Sequence, residues 1–154
     1  MIESVLEFRV RYAETDQMGV VHHANYLVWC EMGRTDLLRR LGASYAQLER
    51  QGIFLAVSDA RMRLRRSARY DDLVRVRTAL RRLRSRSVTF SYVVEHTDGR
   101  GTLAEVETDL ICLDSARSPR KLPAALLETL RRARAPASVE GTIDVVAGPN
   151  TGVE

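Results

Sequence analysis

Lysine is nearly absent from this sequence: of its 24 Lys and Arg residues, only Lys121 is a lysine. Cysteine is equally sparse, with two in 154 residues, and aromatic residues amount to 6%. Each shortage closes off a class of function. Cys30 and Cys112 lie far apart in apolar contexts and form no Cys-x-x-Cys spacing, so they read as small buried hydrophobes rather than metal ligands or disulfide partners. The formal charge is +4, but aromatics do not interleave with the basic positions and no binding motif accompanies them, which argues against a nucleic-acid-binding chain. No run approaches the roughly 18 apolar residues of a membrane span. The opening "MIESVLEFRV" mixes polar and apolar residues where a secretion signal would have a basic start and an apolar block. A cytoplasmic protein that engages neither membrane nor nucleic acid is expected.

At 45% hydrophobic and 29% charged residues, the chain has the balance of one globular domain able to bury a core. Residues 1–135 are expected to form that domain. Residues 136–154, small and punctuated by Gly and Pro, read as a flexible tail. Many arginines recur at alternate positions, as in Arg61, Arg63, Arg65 and again Arg75, Arg77, the pattern of the solvent face of half-buried strands. A small polyanion is the anionic partner still compatible with them.

The first ordered signal is a period of two in "LEFRVRY", which puts Leu6, Phe8, Val10 and Tyr12 on one face of a strand. From Asn25 to Leu41 the spacing turns helical, with Tyr26, Trp29, Cys30, Gly33, Leu37, Leu38 and Leu41 along one side and Gly42 where a terminating glycine belongs. "SYAQLERQG" supplies a capping pair, Ser44 and Gln47, and ends at Gly52, which predicts a short second helix. Residues 53–66, 71–84, 86–97 and 102–114 read as strands, with Ala60, Met62 and Leu64 sharing a face of the first. An Asp-Gly turn in "HTDGRG" joins the last two. A final helix is expected from Pro123 to about Arg134. The plan is α+β: one long helix must bury its apolar side against a single antiparallel five-stranded sheet.

Between the first strand and the long helix stands "AETDQMGVVHHANY", residues 13 to 26. With its flanks, "RVRYAETDQMGVVHHANYLVWCEMGRTDLL", it resembles the opening of the hotdog-fold acyl-CoA thioesterases of the 4-hydroxybenzoyl-CoA thioesterase and YbgC type. The likeness continues through "ARYDDLVRVRT" and "PRKLP", covering roughly residues 5 to 130. The resemblance implies a hotdog fold, its sheet wrapped around the long helix, hydrolysis of an acyl-CoA thioester and no metal or organic cofactor. It also implies a homodimer or homotetramer with sites at the subunit interface. Asp16 is then the general base or the nucleophile, and the backbone N–H at His23 polarises the thioester carbonyl. Gly19, His22, Asn25 and Tyr26 surround the substrate, and Arg120 and Lys121 are candidates for the CoA phosphates, with Arg84 and Arg86 less secure. The family favours an aromatic at position 22, so His22 is a departure that bears on acyl-pocket polarity.

The chemistry suits such a junction. A thioester carbonyl is already electrophilic, and a thiol with a pKa near 8.5 leaves without obligatory protonation. The protein therefore needs chiefly an activator of attack and donors for the oxyanion. The free N–H groups of a helix start can supply the donors.

Plainer uses compete at each position. Asp16 could simply stabilise an Asx turn, Asn25 could cap the helix, and Arg120 and Lys121 could be solvated charges. The adjacent histidines should point apart on an extended loop and lack a third metal ligand. Glu31 is a reserve base, with Arg34 at i+3 available as its ion-pair partner. A non-catalytic acyl-CoA-binding hotdog module remains an alternative. So does a hotdog hydratase, to which "HHANY" is also similar and which would need a working imidazole.

Overall fold

The computed structural model describes residues 2–134, and the expected tail lies outside them. Nine elements follow in order: β1 (Glu3–Arg9), a short 3₁₀ turn (Tyr12–Glu14), α1 (Ala24–Arg40), α2 (Tyr45–Arg50), β2 (Phe54–Leu64), β3 (Leu73–Leu83), β4 (Ser87–His96), β5 (Thr102–Leu113) and α3 (Ala124–Ala133). The five strands form one antiparallel sheet in the order β1-β3-β4-β5-β2. β1 and β2 are thus its edges. α1 crosses one face, burying Tyr26, Trp29, Cys30, Gly33, Leu37 and Leu38 against Val74, Val76, Phe90, Tyr92, Val94, Val106 and Leu110 in a single apolar cluster.

Alternation decides which side of each strand meets the helix. On β3, Val74, Val76, Thr78 and Leu80 are buried while Arg75 and Arg77 face outward. The outer face is a lattice of ion pairs: Arg75 with Glu7 at 2.8 Å, Arg77 with Glu95 at 3.4 Å, and Arg61 with both Glu107 and Asp109 at 3.0 Å. The alternating arginines are therefore strand-face residues, as their spacing predicts. Cys30 and Cys112 are free and buried, and burial pushes the Cys30 thiol up to about 12.

Gly33 sets how closely α1 lies on the sheet. A Cβ there would collide with Thr78 Oγ1 and come within 3.1 Å of Val76. The helix ends as its sequence predicts. Gly42 takes φ +82°, its N–H donating to Arg39 O at 3.0 Å and that of Ala43 to Leu38 O at 2.9 Å. These are the paired closing bonds of a Schellman motif. Gly52 closes α2 in the same way, at φ +73°, with Ile53 N–H on Leu48 O at 2.9 Å. Ser44 Oγ accepts from Gln47 N–H at the start of that helix.

One local expectation is corrected, and one strand carries an irregularity its pattern does not announce. β1 stops at Arg9, so Tyr12 leaves the strand face, is 78% exposed, and meets Tyr70 edge-on at 5.6 Å. The reason is Glu14, whose carboxylate accepts Arg11 N–H at 2.8 Å and folds the chain into the 3₁₀ turn. On β2, a bulge at Ser58 breaks the alternation between Val57 and Asp59. Because of it, Val57, opposite Leu110, and Ala60, opposite Thr108, point to the same, helix-facing side. That edge strand is poorly covered: Val57 is 51% and Leu64 50% exposed.

Candidate active site

Residues 15–21 fold back on themselves. Thr15 and Val21 form a bridge, Asp16 N–H donates to Val20 O at 2.9 Å, and Gly19 N–H donates to Asp16 O at 2.9 Å. Gly19 occupies φ +74°, which a residue with a Cβ would adopt only under strain. Asp16 Oδ1 accepts the Met18 N–H at 2.9 Å, an Asx turn. The turn use of this aspartate does not remove it from the site, since it engages one carboxylate oxygen and Asp16 also lines a cleft. That cleft, about 320 Å³, is also lined by Met18, Val20, His23, Tyr26, Leu64 and Arg66.

The start of α1 forms another wall. His22 N–H donates to Glu14 O at 2.9 Å, Ala24 N–H to the imidazole Nδ1 of His22 at 3.2 Å, and Asn25 N–H to His22 O at 2.9 Å. Among the described residues, no acceptor lies within hydrogen-bonding reach of the His23 N–H. It sits at the positive end of the helix dipole, beside the cleft. Asp16 and His23 line the same cleft.

The other predicted residues are placed as follows. Asn25 is a structural tie, its Nδ2 donating to Glu14 O at 3.0 Å and to His22 O at 3.3 Å. Tyr26 is buried, its hydroxyl accepting the Ala68 N–H at 3.4 Å. Burial pushes its phenol up against the opposing effect of that bond, helped by the charge of Asp72. The imidazoles of His22 and His23 do not point apart but stack at 4.4 Å. The expectation failed because His23 already has helical backbone angles, φ −55° and ψ −30°, rather than those of an extended loop. No group of three metal-ligating side chains exists among the described residues.

Arg120 and Lys121 follow β5 and lie at the far end of the sheet. Leu64, at the cleft, pairs with Ala104, whereas Pro119 bridges to Leu113. That separation is roughly 30 Å of strand at about 3.4 Å per residue. The basic residues of the same chain beside the cleft are Arg65, Arg66 and Arg69. Glu31 is exposed and lies further along α1, and Arg34 does not pair with it: Arg34 is 6% exposed and is held by Tyr45 and Tyr92.

Glu14 is the residue that sequence reasoning passed over. It is 3% exposed, and its Oε1 accepts Trp29 Nε1–H at 2.9 Å and the Arg11 guanidinium at 3.1 Å. Burial works to raise its carboxyl, but the hydrogen bonds from Trp29 and Arg11 and the Arg11 charge together hold it below the usual carboxylate range. Its backbone oxygen meanwhile anchors His22 and Asn25. One residue thereby fastens the Asp16 loop to the helix that carries His23. The only sequence signal was its place three residues after Arg11, the span of a capping box.

The sheet order, the long helix on one face and the loop between β1 and α1 are those of hotdog-fold enzymes. The model of the thioesterase-like superfamily matches residues 10–139, and the chain belongs to that family. It is 36% identical to YneP of Bacillus subtilis over 108 residues, 70% of this chain and 78% of YneP. It is 29% identical to the acyl-CoA thioester hydrolase YbgC of Escherichia coli over 125 residues, 80% and 92% of the two chains. Among solved structures, TT1821 of Thermus thermophilus superposes with TM-score 0.81 at 39% identity, over 85% of this chain and 99% of that one. The DHNA-CoA thioesterase of Staphylococcus aureus does so with TM-score 0.76 at 36% identity, over 79% and 82%. No helix among the described residues is long and apolar enough to cross a membrane.

Proposed function

We propose that this protein is a cytoplasmic acyl-CoA thioesterase that converts an acyl-CoA and water to the free acid and CoA. The observation that carries the reading is the pairing, around one cleft, of a carboxylate held by its own turn with an unoccupied N–H at a helix start. The thioester carbonyl oxygen accepts the His23 N–H. Asp16 takes a proton from water as the water oxygen attacks, or its oxygen attacks directly to give an anhydride that water then opens. The C–S bond breaks with its electron pair on sulfur, and CoA leaves as a thiolate that takes up the proton. Family names support the substrate class, since YbgC is an acyl-CoA thioester hydrolase.

The same reading includes a homodimer. The β2 edge presents unpaired backbone and the exposed side chains Val57 and Leu64, and the adjoining flank of α1 exposes Leu27, Val28 and Met32. Two β2 strands meeting antiparallel across a two-fold axis would bury both sets. They would also bring the start of one β2 next to the end of the other. The Arg120–Lys121 loop, distant from Asp16 in its own subunit, then approaches the cleft of the partner and can meet CoA phosphates together with Arg66 and Arg69. Acyl-CoAs of varied chain, assayed for released thiol, test the activity. Absence of release from every member would refute it, and sedimentation of a fully active monomer would refute the assembly.

A further inference from the structure

The three most exposed large apolar side chains among the described residues gather around one loop: Tyr12 at 78%, Met18 at 77% and Tyr70 at 58%. Met18 lines the cleft beside Asp16. Tyr12 precedes the Asp16 loop, and Tyr70 stands three residues beyond Ser67 of the cleft wall, no more than about 11 Å of chain. The two tyrosine rings meet edge-to-face, 5.6 Å apart and 80° to one another, an arrangement that aromatic pairs favour. Neither belongs to the β2 edge or the α1 flank that a second subunit would cover.

A braced turn holds Tyr70 out in solvent. Asp71, next to it, takes φ +68°, a conformation that a residue with a side chain adopts at a cost. Asp72 N–H donates to Arg69 O at 3.1 Å and Asp71 N–H to Val10 O at 3.0 Å. The Asp72 carboxylate accepts the Arg69 N–H at 2.8 Å and Arg100 Nη2 at 2.9 Å, and it bonds His96 Nε2 at 3.1 Å. Toward the cleft lie two cations that pair with no carboxylate among the described residues. Arg69 Nη1 comes within 3.7 Å of where a Cβ on Gly19 would stand, and Arg66 lines the cleft. The neighbouring acids are taken: Glu105 pairs with Arg65, Asp71 with Arg9 and Asp72 with Arg100. A fixed aromatic face in water beside unpaired guanidinium groups suits a planar base that carries phosphate, since the base stacks and the phosphate oxygens accept from arginine. An alkyl chain would leave the cations unmet.

We infer that Tyr70, braced by Tyr12 and flanked by Arg69, is the platform of an adenine-nucleotide subsite at the rim of the cleft, filled by the nucleotide end of the substrate's CoA. The inference rests on the thioesterase reading for the CoA, though not for the nucleotide chemistry. In each protein tested, kcat/KM for an acyl-CoA is divided by that for the same acyl group on pantetheine, which lacks the nucleotide. Tyr70→Ala should lower this ratio by about 5- to 150-fold, the loss when a base is deprived of its stacking partner, and Tyr70→Trp should restore it. The ratio is internal to one preparation, so a partly misfolded variant still reports it, and a merely structural role would lower both substrates alike. Calorimetry with adenosine 3′,5′-bisphosphate supplies a second arm, in which Kd should rise by a similar factor in Tyr70→Ala. A raised Kd with an unchanged ratio would keep the subsite but assign it to a free nucleotide and overturn the role for CoA. An unchanged ratio with an unchanged Kd, or with no saturable nucleotide binding by the natural protein, would overturn the subsite itself. If no thioester releases CoA, the thioesterase reading fails separately, and the Kd comparison alone decides for or against the subsite.

Discussion

Replacing Glu14 should damage this protein twice, in stability and in rate, though Glu14 touches no substrate in the proposed reaction. Glu14→Ala leaves the Trp29 indole N–H, on a residue with no exposed surface, and the Arg11 backbone N–H without acceptors. An orphaned buried donor costs about 1–3 kcal/mol. The Trp29 bond is fully internal and the Arg11 bond only part-buried, so a total of roughly 3–4 kcal/mol follows. At about 2–4 °C per kcal/mol for a domain of this size, the melting midpoint at fixed protein concentration should drop by roughly 6–16 °C. Glu14→Gln keeps an oxygen for Trp29 but turns an N–H toward Arg11, so it should lose less, about 1–2 kcal/mol. Its rate is the sharper reading. The Asp16 loop and the α1 start are joined through this residue, so kcat should fall in Glu14→Gln at a temperature where the variant is fully folded, with KM changed much less. A Gln variant that melts and turns over like the natural protein would refute the claim that this carboxylate holds the site together.

Asp16→Asn should lower kcat by roughly 10²- to 10⁴-fold, the usual loss on removing a general base. His23→Ala, which keeps the backbone N–H, should cost far less. Thiol release from folded samples of both compares them, and the reverse order would favour imidazole chemistry. Gly33→Ala should destabilise despite the roughly 1 kcal/mol that alanine gains over glycine in a helix, because its Cβ meets Thr78 Oγ1. Chemical denaturation should show stability returning in Gly33→Ala/Thr78→Ala, since that hydroxyl has no hydrogen-bond partner to lose. Asp72 is raised by burial but more strongly lowered by hydrogen bonds from Arg100, the Arg69 N–H and His96, to about 2. Its folded-state value is depressed, so its contribution is full above the ordinary carboxylate range and lost as pH falls from about 4 toward about 2. Melting curves across that window should be flatter in Asp72→Asn.

Local signals carried most of the fold into view. The period of two, the period near four in α1, the glycines at 42 and 52 and the cap at Ser44 act over a few residues, and each is found where it was read, save that the first strand stops at Arg9, short of Tyr12. What stayed hidden depends on contacts between distant positions. Glu14 reads as a loop acid until Trp29 is placed against it. Arg34 reads as the i+3 partner of Glu31 until Tyr45 and Tyr92 close around it. The distance between Arg120 and Asp16 follows from strand order, which alternation does not encode. The Asp16 loop was legible because its residues are contiguous, whereas the cavity at Arg34 is assembled from one helix and two strands distant in sequence.

The extra residue at Ser58 makes β2 sensitive to length in a way that substitution would never reveal. Downstream of it, Ala60, Met62 and Leu64 turn toward the helix side of the sheet while Arg61 and Arg63 face outward with the acids of β5. Deleting Ser58 would remove the bulge and leave that phase intact, whereas inserting one residue beyond it would shift the phase of the pleat by half a period. Every later side chain of the strand would change sides, bringing two guanidinium groups onto the helix-facing side and three hydrophobes to the outer face. Removing two residues would preserve the phase but shorten the edge. Beyond the bulge the β2 sequence is thus read in a frame of two, and a single-residue insertion acts on it as a frameshift does on a message, corrupting everything beyond the point of change.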